Sequence, residues 1–338
     1  MMREFIRFFH KTITAKRFLN ALLVYTSYYL SRLGLLSKPW GLPISMSIEP
    51  TTACNLSCPE CPSGLKQFTR PTGNLNAEEF DGWLREWATT LSYLNFYFQG
   101  EPFIHPKIIE LISLAAKKGI YTSTSTNAHF ISPTRAKEIV YSGLDRLIVS
   151  IDGTTQEVYE QYRVNGELSK ALEGVKNVVE AKQYAQSHFP KIIFQFLVVR
   201  PNEHQIEEAK ALAEALQVDE IRFKTAQVYD YENGNELIPT IGKYSRYKQH
   251  SNGKWVVKSN LENHCWRMWS GSVITFDGTV VPCCFDKDAT HQMGSLKSTS
   301  FKSIWHNPNY QNFRNQLMKG RKEIDICKNC SEGTKVWS

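Results

Sequence analysis

Apolar and polar positions alternate with a period of two over Ile44-Ser45-Met46-Ser47-Ile48, which predicts a strand with one buried face. Beyond it, short β-rich runs recur between longer stretches of helical periodicity. Tyr93–Phe98, Tyr121–Thr126, Arg146–Ile151, Ile192–Val199 and Glu220–Lys224 read as further strands. Asn76–Thr89, Pro106–Lys118, Pro133–Ser142, Leu168–Ser187 and Glu203–Leu216 read as helices, the first with Asn76 as N-cap and Glu78 and Glu79 in its first turn. Six strands alternating with helices imply parallel βαβ units, hence an α/β fold built as a partial (β/α)6 TIM-like barrel. Chemistry in such a barrel gathers at the C-terminal ends of the strands.

The two ends of the chain follow other patterns. Residues 1–38 are helical in periodicity, and Phe18 to Ser31 is uncharged for fourteen residues, short of the roughly 20 needed to span a bilayer. Asn20, Ser27 and Ser31 recur at helical spacing, so a narrow polar stripe lies beside a wide apolar face. Such an amphipathic helix can pack on its own domain or lie on a membrane surface or partner. Basic residues ahead of an apolar run also fit a signal peptide, but no small-residue cleavage site follows. Pro39 to Pro43 is a breaker-rich link, which divides an N-terminal segment (1–42) from the barrel (43–226). Residues 227–264, with Tyr229, Tyr231, Tyr244 and Tyr247 and little periodicity, read as a bridging segment or substrate loop. A small domain then occupies 265–338: Val273–Phe276 and Thr279–Val281 flank Asp277-Gly278 as a β-hairpin, and Phe301–Met318 reads as one helix.

Composition sharpens this picture in two places. The chain has 338 residues, 42% hydrophobic and 22% charged, as expected of a globular protein with one large and one small domain. Of the formal charge of +7, residues 1–38 hold +6, with Glu4 their sole acid, so +1 is left for the other 300 residues. The body therefore lacks a field that would draw nucleic acid, and no nucleic-acid partner is expected. The eight cysteines fall in three tight groups (54/58/61, 265/283/284 and 327/330). That is metal-ligand spacing and suggests a reducing, cytoplasmic compartment.

The densest group, Cys54-Asn55-Leu56-Ser57-Cys58-Pro59-Glu60-Cys61, follows the first strand. Three thiolates at this spacing can hold three corners of an iron–sulfur cube and leave the fourth iron open to a reactant. A structural zinc would need a fourth ligand, and no cysteine or histidine stands nearby in the sequence. Polar stretches occupy the ends of the later strands: Gln99-Gly100-Glu101-Pro102, Ser125-Thr126-Asn127 and Ser150-Ile151-Asp152-Gly153, with Tyr162-Arg163 beyond.

Cys54-x3-Cys58-x2-Cys61 with these stretches, over residues 44–225, resembles the radical S-adenosylmethionine (radical SAM) enzymes. The resemblance implies a 4Fe–4S cluster on Cys54, Cys58 and Cys61 and SAM chelated at its open iron. It implies that Gly100 and Glu101 meet the SAM amino group, that Ser150 lies in a SAM-contacting segment, and that Arg163 reaches a carboxylate. Reductive cleavage of SAM would then give a 5′-deoxyadenosyl radical that abstracts a substrate hydrogen atom, with flavodoxin or ferredoxin as the reducing partner. Relatives usually place an aromatic residue before the third cysteine, against the adenine; here that position is Glu60.

The later cysteines are similar to the Twitch and SPASM auxiliary-cluster domains: Cys265, twelve residues, Gly278, four residues, Cys283, then Cys327-x2-Cys330. This implies a second 4Fe–4S cluster on Cys265, Cys283, Cys327 and Cys330, with Cys284 either spare or replacing Cys283. A four-cysteine zinc ribbon fits the same spacing. Four protein ligands leave no open iron, which favours electron transfer at this site.

The expected activity is a radical SAM oxidoreductase acting on a small polar or membrane-associated metabolite or a peptide. Only about 43 residues precede the barrel, too few for a peptide-leader-binding domain, which tilts the expectation towards a small molecule. The alternatives are a redox-neutral epimerase or rearrangement catalyst that uses Cys284 as hydrogen donor, and a non-catalytic iron–sulfur or zinc protein anchored by its N-terminal helix. The location expected is cytoplasmic, or peripheral at the inner face of the membrane through residues 1–38. Gln195 and Lys224 can face inward or outward, His105 suits a structural role, His264 beside Cys265 reads as a solvated loop histidine or one that tunes the auxiliary cluster, and Asp286 could serve as a base.

Overall fold

The computed structural model describes residues 2–331; residues 332–338, the end of the C-terminal segment, lie outside them. The chain opens with helices α1 (Met2–Thr12) and α2 (Ala15–Arg32). They separate at Thr14, whose extended backbone and side chain cap α2 by accepting the Arg17 N–H at 3.2 Å. Next come β1 (Ser45–Ile48), α3 (Pro62–Leu65), α4 (Ala77–Trp87), β2 (Tyr93–Asn95), α5 (Ile108–Lys117), β3 (Tyr121–Thr126) and α6 (Pro133–Tyr141). The series continues with β4 (Arg146–Ser150), α7 (Gln156–Tyr162), α8 (Leu168–Tyr184), β5 (Lys191–Val198), α9 (Ile206–Ala215) and β6 (Glu220–Thr225).

Strands β1 to β6 pair in sequence order, every pair parallel, and β6 does not return to β1. This is the expected partial (β/α)6 barrel. The segment after it is less irregular than its sequence suggests, since β7 (Tyr247–Gln249) and β8 (Trp255–Val257) form a separate antiparallel pair. Then follow α10 (Arg267–Ser270), β9 (Gly271–Ile274), β10 (Thr279–Val281), β11 (Gly294–Ser295), α11 (Phe301–Trp305), α12 (Pro308–Gly320) and α13 (Asp325–Lys328). The hairpin forms as expected, and its first strand lies parallel to β1, with Ser45 opposite Gly271 and Ile48 opposite Ile274. The result is one nine-stranded sheet in the order β11-β10-β9-β1-β2-β3-β4-β5-β6.

Two elements depart from their predicted bounds for local reasons. β2 leaves the ladder at Asn95, although the Phe96 N–H still donates to Ser123 (2.7 Å). The helix predicted over Phe301–Met318 breaks at Asn307-Pro308, where Asn307 caps α12 by accepting the Tyr310 N–H (2.9 Å). Helix α7, capped by Thr155, is too short to show a period and was not foreseen.

The N-terminal helices close the rim formed by the strand N-termini. Glu4 accepts from Tyr121 (2.9 Å), Arg146 and Lys191 (2.8 Å), at the starts of β3, β4 and β5. Arg7 and Lys11 pair with the buried Asp145. Arg17 caps the carbonyls of Ala88 (2.8 Å), Lys118 (2.9 Å) and Gly119 (2.5 Å), and Asn20 exchanges two hydrogen bonds of 2.9 Å with Leu42. A rim of carbonyls and charges must be satisfied by polar partners. The polar stripe Asn20, Ser27 and Ser31 is accordingly buried together with Val24 and Tyr28, while Phe18, Leu19, Leu22, Tyr25 and Tyr29 of α2 are turned outward.

Candidate active site

The cysteine loop leaves the C-terminal end of β1 and is clamped by the loop after β2. Gly100 has φ +75°, and a Cβ there would lie 2.2 Å from the Thr51 carbonyl oxygen, so the close approach requires glycine. The Gly100 N–H donates to Ser63 Oγ (2.8 Å) and the Glu101 N–H to the Ala53 carbonyl (2.7 Å). Each sulfur of the loop has a nearby polar group. The Leu56 N–H lies 3.5 Å from Cys54 Sγ, Arg163 Nη1 lies 3.8 Å from Cys58 Sγ, and Gln99 Oε1 lies 3.9 Å from Cys61 Sγ.

The ends of β2, β3 and β4 meet behind this loop. The Glu101 carboxylate, buried, accepts the Thr126 hydroxyl (2.7 Å) and the N–H groups of Asn127 (2.7 Å) and Phe103 (3.1 Å). Asn127 in turn donates to Asn55 inside the cysteine loop (2.8 Å). Ser150 is buried at the end of β4 and accepts from Gln195 (3.4 Å), which fixes Gln195 facing inward. Arg163, at the C-cap of α7, is mostly buried and ion-paired with Asp152 (2.5 Å) while its Nη1 faces Cys58. Asp152 is anchored by the Leu197 N–H (2.7 Å).

The second cysteine set assembles from β9–β10 and the chain end. Cys265, Cys327 and Cys330 are buried, and Cys283 lies within electrostatic reach of Cys265 and Cys327. Arg321, 2% exposed, donates to Cys330 Sγ (3.2 Å) and to the His264 carbonyl (3.0 Å). Cys284 points elsewhere, packing with Phe98, Val273, Val281 and Ala289 on the barrel side. Its electrostatic neighbours include Tyr97, Lys224 and Lys287.

Residues 48–215 match the family model described as the radical SAM superfamily, and residues 265–331 match the iron–sulfur cluster-binding domain SPASM. This chain belongs to the radical SAM superfamily. Among solved structures it is similar to SuiB of Streptococcus suis bound to S-adenosylmethionine, with TM-score 0.64 and 16% identity over 91% of this chain and 76% of that one. It is also similar to anSMEcpe with bound AdoMet and the Cp18Cys peptide, with TM-score 0.60 and 18% identity over 87% and 89% of the two chains. A third is BtrN in complex with AdoMet and 2-DOIA, with TM-score 0.51 and 18% identity over 86% and 93%. At these identities the likeness is one of fold.

A radical SAM enzyme carrying a SPASM domain uses SAM, a 4Fe–4S cluster and auxiliary iron–sulfur clusters, and the donor sets here suit them. Both are all-thiol, the preference of iron–sulfur ligation. Burial pushes the Cys54 thiol up to about 12 and raises that of Cys58, against the lowering effect of Arg163. Thiolates here therefore need a cationic centre beside them. The Arg163 guanidinium, despite the opposing effect of burial, is held charged by Asp152 and Cys58.

Four further residues find their places. Glu60 accepts the Tyr229 N–H (2.9 Å), tying the cysteine loop to the segment after the barrel, and burial raises its carboxyl above the usual range. Asp286 accepts from Thr290 (2.8 and 2.9 Å) and His291 (2.9 Å) and so shapes its own loop instead of facing a reactant. His105 bonds the Leu75 carbonyl (2.8 Å) in a structural role. Lys224 on β6 is pushed down to about 8 by burial and by the neighbouring cation Arg246. Sequence reasoning missed Arg321, Asp152 as the partner of Arg163, and Tyr229 beside Glu60. Asp152 stood in a recognised stretch without its role being read, Arg321 and Tyr229 belong to no spacing motif, and a buried arginine beside a cysteine pair carries no local signal.

Proposed function

We propose that this chain is a radical SAM oxidoreductase that removes a hydrogen atom from a small polar metabolite or a peptide and passes the remaining electron to its second cluster. The observation that carries the reading is the convergence of the ends of β1 to β4 on one cysteine loop, through Gly100, Glu101, Asn127 and Arg163. When bound, the cluster and SAM supply the 5′-deoxyadenosyl radical that abstracts the hydrogen atom. Cys54, Cys58 and Cys61 hold the cluster; Cys265, Cys283, Cys327 and Cys330 hold the auxiliary one. Glu101 keeps lone pairs for the SAM ammonium, and its burial keeps water from competing. Gly100 lets the backbone approach, Ser150 lines the opposite wall, and Arg163 offers its guanidinium to the SAM carboxylate beside Cys58.

Lys224, with Arg246 and Lys287 as electrostatic neighbours, gives the barrel interior a positive character that suits a substrate bearing an anionic group. A reduced flavodoxin or ferredoxin is the fitting electron donor. The reading places the enzyme in the cytoplasm, either free or peripheral at the inner face of the membrane through residues 1–38.

Anaerobic reconstitution tests the chemistry. About 8 Fe per chain is expected from two cubes, with 5′-deoxyadenosine released on adding SAM and reductant. Replacing Cys54, Cys58 and Cys61 by Ala should halve the iron and abolish SAM cleavage. A fully loaded protein that cleaves no SAM would overturn the proposal. The placement of Cys284 on the barrel side favours one second reading, a redox-neutral epimerase with Cys284 as hydrogen donor. Full turnover by Cys284→Ala would remove it.

A further inference from the structure

Thirteen of the twenty large hydrophobic side chains exposed among the described residues lie in the first 40 residues. On α1 they include Phe5 and Phe9; on α2 they include Phe18, Leu19, Leu22 and Tyr29, between 39% and 70% exposed. Leu33 and Leu35 extend the surface at 71% and 72%. Scattered exposed apolar residues need no explanation, but a contiguous concentration marks an interaction surface. The helices cannot bury this face by rolling over. Their polar side chains are committed to the strand rim, Glu4 to Arg146 and Lys191, Arg7 and Lys11 to Asp145, and Arg17 and Asn20 to backbone groups.

The charges around the face select what covers it. Arg3, Lys16, Arg32 and Lys38 are exposed, whereas Glu4, the single acid of residues 1–38, is turned inward in ion pairs. An apolar surface fringed by cations, with Glu4 turned inward and Glu262 an exposed acid beside its Arg32 end, complements an anionic lipid headgroup layer over an acyl interior. Tyr25, Tyr29 and Trp40, each about half exposed, add the amphipathic rings suited to that boundary. No helix among the described residues is long and apolar enough to cross a membrane, so the contact is with one leaflet.

We infer that α1 and α2 form a monotopic docking platform for an anionic membrane surface, with the strand N-termini towards the bilayer and the cysteine loop, at the opposite ends of the strands, facing the aqueous phase. The orientation rests on reading that loop as the active site; membrane binding itself does not. The substrate is then delivered through water, not drawn sideways from the leaflet, which favours the small polar metabolite or peptide over a lipid-embedded one.

The test is co-sedimentation of the full, reconstituted chain with phosphatidylcholine vesicles, with and without phosphatidylglycerol. Binding is expected with phosphatidylglycerol only, and should be lost at high salt. Lys16→Gln, Arg32→Gln and Lys38→Gln should each weaken it about fivefold, and together on the order of a hundredfold. Leu19→Ser with Leu22→Ser should abolish it while leaving iron content and thermal unfolding unchanged, because both side chains are exposed. Brominated lipids should quench a fluorescence component that Trp40→Phe removes. Failure of the parent chain to bind, or equal binding by the substituted chains, would overturn the proposal. So would a dimer in light scattering that Leu19→Ser and Leu22→Ser dissociate without any vesicle binding, which would assign the face to a second copy. Vesicle binding without quenching of Trp40 would overturn the orientation. None of these readouts requires SAM cleavage, so a failure here is separable from failure of the proposed chemistry.

Discussion

At the scale of single residues, Gly100 carries more than its size suggests. A methyl group there would meet the Thr51 oxygen at 2.2 Å and the Ala53 oxygen at 2.9 Å, both backbone, and at φ +75° it would add the left-handed penalty. Gly100→Ala is expected to cost about 2–4 kcal/mol and to push the cysteine loop off its seat. Thermal unfolding and iron content after reconstitution should both fall. Gly253, also at positive φ (+81°) but with nothing within 4 Å, is the control: Gly253→Ala should cost only about 1–2 kcal/mol. Gly100 was legible because it stands in a recognisable stretch beside a dense cysteine motif. Arg321 was not, since its partners Cys330 and the His264 carbonyl lie 9 and 57 residues away. Glu60 looked out of pattern for a related reason. Its partner is the backbone of Tyr229, 169 residues on, and a backbone partner leaves no mark on sequence.

Among the elements, α1 and α2 show how periodicity fixes a helix without saying which way it faces. The polar stripe of the N-terminal segment was plain in the sequence. Its burial was not, because the usual rule puts the apolar face inside. The rim of strand N-termini reverses that rule by presenting Asp145, Arg146 and Lys191 to whatever covers it. Glu4 gives this docking a pH signature. Burial raises its carboxyl, but hydrogen bonds from Lys191 and Arg146 outweigh that effect and lower it from 4.5 to about 2. The folded carboxyl therefore holds its proton less readily than the unfolded one. Its contribution, on the order of 2–3 kcal/mol after allowing for partial solvent screening, is present above pH 4.5 and lost as pH falls towards 2. Hydrogen exchange should report α1 amides opening across that window, ahead of the barrel. In Glu4→Gln the same amides should be less protected at neutral pH and should lose this component of the acid response. Unchanged exchange in α1 would contradict the account.

Over the whole molecule, β1 holds the two halves together. It pairs with β2 on one side and with β9 on the other, so the cysteine loop emerges from the strand that joins the barrel to the auxiliary-cluster region. One hydrophobic core runs from Phe80 and Trp87 through Trp269 to Phe301 and Trp305. A buried knot reinforces the joint: Glu49 accepts two hydrogen bonds from Arg70 (2.8 and 2.6 Å) and one from the Phe276 N–H (3.2 Å), and Arg70 also donates to the Lys287 carbonyl (3.0 Å). The sequence suggested a large and a small domain because the strand–helix alternation stops near residue 226. It could not show a strand from beyond residue 264 joining the same sheet, since pairing partners more than 220 residues apart share no local pattern. If the two halves fold as one unit, Arg70→Ala, which strands the Glu49 carboxylate in the interior, should cost about 3–5 kcal/mol. The whole chain should then melt in a single transition at lower temperature, and both clusters should be lost together in calorimetry followed by iron absorbance. The paired replacement Glu49→Gln with Arg70→Met should cost less than Arg70→Ala alone, because no unpaired charge remains. Two resolved transitions, with the auxiliary cluster surviving the first, would mean that β9 rests on β1 without sharing its fate.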